Sequence, residues 1–72
     1  MRTTILIGLL DEGTEVWRPV EAEQIREGVF RIVGKEPEGE RWQFASGAFV
    51  RCQQRTFSSG ESGFVAYEMA TA

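Results

Sequence analysis

Few side chains in this chain of 72 residues could perform acid–base or nucleophilic chemistry. There is no histidine, so the commonest general base near neutral pH is missing and no Ser–His or Cys–His pair can form. Glu21 and Glu23 stand two residues apart, which would place both carboxylates on one face of a strand. Carboxylates on a strand surface are usually solvated rather than catalytic. We therefore predict no catalytic residue and no enzymatic activity.

Metal and cofactor chemistry is also poorly supported. Cys52 is the only cysteine, which rules out an intramolecular disulfide and leaves a single soft metal ligand. Cys52 lies in phase with Val50 on a predicted strand, and a free cysteine among apolar neighbours is usually a small core residue. A reactive thiol is the alternative. The sequence carries no phosphate-binding loop, and we expect neither a metal nor a cofactor.

Trp17, Arg18 and Pro19 are the predicted partner-binding residues. The inward-facing positions of this strand are predicted to be Val16, Val20 and Ala22, which turns Trp17 and Pro19 outward. Tryptophan beside arginine is typical of binding hot spots, and Pro19 lacks a ladder donor, which suits an edge strand. Arg18 interrupts the alternation and suggests a local bulge. The alternative places Trp17 as a cap on the end of the domain.

A second candidate surface consists of Phe49, Arg51 and Arg55, where basic side chains flank an aromatic ring. Such a face could stack on RNA or single-stranded nucleic acid. The chain has a net charge of −3, however, with nine acidic and four basic residues between positions 11 and 40. Nucleic-acid affinity depends mainly on clustered cations. We therefore keep nucleic acid as the alternative and regard it as an unlikely partner.

The elements that must position these residues are short strands separated by glycine turns. The pattern predicts strands over residues 3–10, 14–22, 29–33, 41–44, 48–57 and 64–69, with a flexible loop at 58–63. Residues 21–27 are interpreted as an irregular connection that buries Ile25, or alternatively as a short helical turn. Length allows a single domain over residues 1–72. We predict an all-β fold, a small antiparallel SH3-like barrel of five to six strands, with an OB-like barrel second. The predicted core consists of Ile5, Ile7, Leu9, Phe30, Ile32, Trp42, Phe44, Val50 and Val65.

Four stretches carry a resemblance to known sequences: residues 9–13, residues 16–22, Trp42-Gln43-Phe44 and Val50-Arg51-Cys52. Through these four stretches the chain resembles a family of short bacterial proteins of similar length that have no assigned activity. The resemblance runs over most of the chain and implies a bacterial origin, but no substrate or ligand.

These observations predict a non-enzymatic protein-interaction module. A domain this small has a thin core and often needs a staple, so we expect self-association, with a homodimer as the simplest form. The longest apolar run, at residues 5–10, is too short to cross a bilayer and lacks a cleavage site after it. We therefore expect a soluble, cytoplasmic protein that does not bind membranes.

Overall fold

The computed structural model describes residues 2–10, 13 and 16–71. It contains five strands, and no helix occurs among these residues. The strands are β1 (Arg2–Gly8), β2 (Trp17–Arg26), β3 (Val29–Ile32), β4 (Phe49–Thr56) and β5 (Ser62–Met69).

The strands form a closed barrel in the order β1-β2-β3-β4-β5. Consecutive strands pair antiparallel, whereas β1 and β5 close the barrel in parallel. In the described part of the chain, the parallel ladder consists of one residue pair, Leu6 with Val65. The predicted all-β fold is confirmed, and the barrel is consistent with an SH3-like barrel. The parallel closure departs from the purely antiparallel prediction.

The interpretation of residues 21–27 is wrong in both of its forms. Strand β2 continues to Arg26, and the chain reverses at Glu27-Gly28, where Gly28 has a φ of 77°. The pairing of β2 with β3 shifts between Gln24 and Arg26. A shift of this kind is a β-bulge, and here Ile25 is 39% exposed rather than buried in the core. Pairing with β1 as far as Glu23, and with β3 from Ala22 to Arg26, overrides the local helix preference of the glutamates.

The predicted strand at residues 41–44 is also wrong. Trp42 forms an isolated bridge with Leu9, supported by bonds from Leu10 N to Arg41 O (2.7 Å) and from Gln43 N to Gly8 O (2.8 Å). A turn at Ser46-Gly47 follows at once, so no ladder develops. The alternation nevertheless identified the buried side chains correctly, because Trp42 and Phe44 are 7% and 8% exposed.

One cluster of buried side chains fills the barrel. It contains Ile5, Ile7, Val20, Ala22, Phe30, Ile32, Trp42, Phe44, Val50, Cys52 and Ala66, with Leu9 packed against it. Val65 is buried but lies apart from this cluster. Cys52 pairs with Ala66, so Ala66 points inward and Val65 points to the outer side. The rest of the predicted core is confirmed.

The described residues include no helix with the length and apolar character needed to span a membrane.

Candidate functional site

An open groove of about 440 Å³ lies on the outside of the barrel, where β1 and β5 close it. We call it the aromatic groove. The residues that line it are Thr4, Leu6, Trp17, Phe57, Ser59, Glu61, Ser62, Gly63 and Phe64.

The groove follows from the alternation of β1 and from its short ladder with β5. Ile5 and Ile7 are fully buried, so Thr4 and Leu6 face outward. Among the described residues, β1 pairs with β2 from Arg2 to Gly8 but with β5 only at Leu6. The groove lies over the amino-terminal halves of these two strands. Gly63 lines it, and a Cβ built on Gly63 would lie 3.5 Å from Leu6 Cδ1.

Two aromatic rings form one wall of the groove. The centroids of the Trp17 and Phe57 rings are 6.3 Å apart, with an interplanar angle of 58°. The guanidinium carbon of Arg55 lies 5.3 Å from the Trp17 centroid and 5.4 Å from the Phe57 centroid. These distances are within the range of cation–π attraction, worth about 0.5–1 kcal/mol at an exposed site. The wall therefore holds a cation already, supplied by the protein itself.

The β4–β5 turn supplies the rim of the groove. Phe57 N donates to Glu61 O (2.8 Å), and Gly60 N donates to Phe57 O (2.9 Å). Gly60 has a φ of 91°, a conformation in which glycine avoids the strain of a Cβ. The predicted flexible loop at 58–63 is thus a hairpin turn, and β5 begins at Ser62, inside the predicted loop. These bonds fix Phe57 and Glu61 at the mouth of the groove.

The structure separates the predicted partner-binding residues Trp17, Arg18 and Pro19. Trp17 is half-buried and lines the aromatic groove, whereas Arg18 and Pro19 line a second pocket of about 290 Å³. The β1–β2 register is regular from Arg2 to Gly8, so the bulge expected at Arg18 is absent from this described ladder. Trp17 lies outside the core cluster and on the outer side of the barrel.

Pro19 occupies a position where its missing N–H costs no ladder bond with β1. Leu9 N donates to Val16 O (3.0 Å), which makes these two residues a hydrogen-bonded pair. Alternation along an antiparallel ladder makes Pro19, opposite Leu6, a non-hydrogen-bonded position. Its nitrogen faces away from β1, toward the other side of β2. On that side, the described ladder with β3 begins only at Ala22. The predicted edge position of Pro19 is confirmed, but a strand edge without this donor is a poor template for pairing.

Arg18 contributes to a local clamp rather than to the aromatic groove. Arg18 Nη2 donates to Glu40 Oε2 (2.6 Å), and Trp42 Nε1 donates to Glu40 Oε1 (3.0 Å). The Trp42 hydrogen bond, followed by Arg18, lowers the pKa of Glu40 against the opposing effect of desolvation. The clamp joins β2 to the segment that carries Trp42, which is a structural role.

The alternative nucleic-acid face is not a continuous basic surface. Arg51 forms an ion pair with Glu68 (3.2 Å), and Arg55 lies over the Trp17 and Phe57 rings. Phe49 is half-buried and pairs with Arg31 across the β3–β4 ladder. The three predicted residues share the outer face of β4 but contact different partners.

The remaining chemical candidates are engaged in structural contacts. Glu21 pairs with Arg2, and Glu23 pairs with Arg31 (3.3 Å). Burial raises the pKa of the Cys52 thiol to about 11, so the thiol stays protonated at neutral pH. Among the described residues, no group of three metal-binding side chains occurs.

Leu6, Phe57 and Phe64 are groove residues that were not among the predicted site residues. Phe64 is 44% exposed, and its ring lies 5.8 Å from that of Phe30. The available signal was the pair of phenylalanines that flank the serine- and glycine-rich turn.

Comparison of the chain with protein-family models, with curated proteins and with solved structures finds no match. The resemblance to short bacterial proteins stays a prediction, and the site rests on its own geometry.

Proposed function

We propose that the chain is a non-enzymatic protein-interaction module whose partner binds in the aromatic groove. The observation that carries this proposal is the half-buried Trp17–Phe57 wall. Large aromatic side chains held in place at the surface provide contact area at a low cost in side-chain entropy. They are also the side chains that dominate binding hot spots.

The chemistry of the groove supports binding rather than catalysis. Among the described residues that line it, Glu61 is the one with an ionisable side chain. General acid–base catalysis requires groups with tuned pKa values close to the reacting atoms. The Trp17 and Phe57 rings, Leu6 and several small polar residues instead form a surface for recognition.

Self-association is a separate proposal that uses a different surface. Outside the groove, the exposed large apolar side chains among the described residues are Leu10, Ile25, Tyr67 and Met69. Met69 is 60% exposed, and Tyr67 is 45% exposed. Contacts of these residues with a second copy would add apolar burial to a small core. We place the module in the cytoplasm, on the basis of its lone buried cysteine.

Affinity capture with three forms of the protein tests the proposed function. Wild type, Trp17→Ala and the matched control Tyr67→Ala are immobilised and exposed to extract of the source cells, with and without nuclease. We expect proteins other than this chain itself that wild type and Tyr67→Ala retain and that Trp17→Ala loses, because Trp17 lines the groove and Tyr67 does not. Retention that nuclease abolishes would favour the nucleic-acid alternative. Equal retention by all three forms would refute the groove as the binding site.

A further inference from the structure

Strand β4 extends beyond the end of the strand that pairs with it on one side. It has 8 residues, whereas β3 has 4. The contact between them ends where the chain turns at Glu27-Gly28, with a last bond from Cys52 N to Gly28 O (2.9 Å). Beyond that bond, residues 53–56 of β4 pair with β5 alone among the described strands. One edge of this segment is therefore open.

Alternation along the β4–β5 ladder shows which backbone groups face the open edge. Phe57 N donates to Glu61 O (2.8 Å), so these two residues are a hydrogen-bonded pair. Hydrogen-bonded and non-hydrogen-bonded pairs alternate along an antiparallel ladder. Gln54 and Thr56 are therefore at non-hydrogen-bonded positions, and their N–H and C=O groups point away from β5. Cys52, which has the same phase, donates in that direction to β3, but the described chain offers Gln54 and Thr56 no strand there.

This edge lacks the usual protection against pairing with another chain. Residues 53–56 are all exposed, and their sequence Gln-Gln-Arg-Thr contains neither proline nor lysine. Proteins commonly place these two residue types on edge strands to prevent such pairing. Strand β2 shows the contrast, because Pro19 lies where β2 has no described ladder with β3. The β4 edge is thus a template for an added strand.

The shape of the edge indicates that the added strand is β4 of a second copy. The open segment is short, and the Glu27-Gly28 turn blocks it at one end. A long strand laid antiparallel to it would meet that turn. A second β4 turns back toward its own β5 after Phe57, before it reaches Gly28 of the first copy. A two-fold axis also places the same edge on both copies, with donors opposite acceptors.

We propose that two copies of the chain pair through antiparallel β4 edges, with Arg55 at the two-fold axis. Gln54 of each copy then lies opposite Thr56 of the other, which satisfies the open N–H and C=O groups of both residues. Arg55 lies opposite its own counterpart, but each guanidinium lies over the Trp17 and Phe57 rings of its own chain. This inference rests on the proposed self-association and specifies the strand through which it occurs.

Thr56→Pro tests the backbone pairing. The Thr56 N–H points to the open edge, so proline removes an intermolecular bond and no bond of the β4–β5 ladder. Thr56→Ala is the matched control, because it loses the same hydroxyl and keeps the N–H. Sedimentation velocity at protein concentrations up to about 1 mM should show a monomer–dimer equilibrium for wild type. We expect dimerisation of Thr56→Pro to be at least about tenfold weaker than that of Thr56→Ala, because the dimer loses a hydrogen bond at each of two symmetric positions.

Disulfide formation tests the position of the two-fold axis and stays informative if Thr56→Pro fails to fold. Arg55→Cys places two thiols opposite each other at a non-hydrogen-bonded pair, where the Cβ atoms lie close together. Gln53→Cys is the matched control on the same face, since Gln53 would lie opposite Phe57 of the second copy. Under mild oxidation, Arg55→Cys should form a covalent dimer at least about tenfold faster than Gln53→Cys, because pairing holds its thiols together. The buried Cys52 is present in both variants.

The outcomes separate this inference from the proposed self-association. A dimer that Met69→Ala abolishes and Thr56→Pro leaves intact would refute the β4 interface while self-association stands. Equal rates of cross-linking in Arg55→Cys and Gln53→Cys would also refute the interface. A wild type that stays monomeric up to about 1 mM would refute both proposals and leave the aromatic groove untouched.

Discussion

Trp42 is the residue whose removal tests most directly how the core of this barrel is stabilised. The side chain is 7% exposed within the core cluster, and its Nε1 donates to Glu40. Truncating a buried tryptophan to alanine costs about 3–5 kcal/mol. A chain of 72 residues has a total stability of about 4–11 kcal/mol. Trp42→Ala should therefore remove a large share of the stability.

Trp42→Phe separates packing from hydrogen bonding. Phenylalanine keeps most of the apolar contact but cannot donate to Glu40. Arg18 still pairs with the Glu40 carboxylate, so that group keeps a partner. We expect a cost of about 1–2 kcal/mol, close to the lower end for a hydrogen bond to a charged group.

Urea unfolding followed by far-ultraviolet circular dichroism measures both effects. With a slope of about 1 kcal/mol per M for a small domain, the midpoint should fall by about 3–5 M in Trp42→Ala and about 1–2 M in Trp42→Phe. Trp17→Ala is the matched control, since Trp17 is half-buried and should cost about 1.5–2.5 kcal/mol, half of the full range. If Trp42→Ala shifts the midpoint no more than Trp17→Ala does, Trp42 does not stabilise the core as its burial predicts.

Three further predictions test local features. Burial raises the pKa of the Cys52 thiol to about 11, so the thiol should react slowly with a thiol reagent in native buffer and rapidly in denaturant. Rapid labelling in native buffer would place the thiol at the surface. Glu40 has a lowered pKa in the folded protein, so its stabilising contribution is present above the ordinary value of 4.5 and is lost as the pH falls through the folded value. Glu40→Gln should flatten that part of the dependence of unfolding free energy on pH, and an unchanged profile would contradict the clamp. Gly60→Ala should lower the free energy of unfolding by about 1–2 kcal/mol, because φ is positive at this position. In Gly63→Ala the new Cβ makes only an ordinary contact with Leu6, so the urea midpoint should stay within about 0.5 M of wild type. Equal midpoints for the two variants would contradict the strained turn.

The fold class and most of the core could be predicted because they depend on alternation along each strand. Ile5, Ile7, Val50 and Phe44 are buried as their phase predicts. The same alternation at residues 41–44 predicted a strand that the structure does not form. An alternating pattern specifies which side chains are buried, but a ladder also needs a neighbouring strand of sufficient length. At Trp42, the described neighbour provides one bridge to Leu9.

Val65 shows a second limit of the pattern. It was predicted in the core together with Ile5 and Ile7, and it is 3% exposed. Its partner in β1 is the outward-facing Leu6, so the burial arises on the outer side of the barrel, at the seam. Period-two reasoning assigns a face to each residue of one strand but does not specify which outer surface becomes covered when the barrel closes.

The candidate site lies at that same seam, which explains why only one of the two rings of its wall was among the predicted site residues. Trp17 was identified from its own strand, by phase and residue type. Its neighbours Phe57 and Arg55 belong to β4 and the turn after it, and they reach Trp17 only because closure brings β5 beside β1. Arg55 was expected to contact nucleic acid together with Arg51, yet its guanidinium lies over two rings of its own chain. Side chains that point outward on separate strands thus acquire a shared surface through the parallel pair Leu6–Val65, and the chemistry of that surface follows from barrel closure rather than from any one segment.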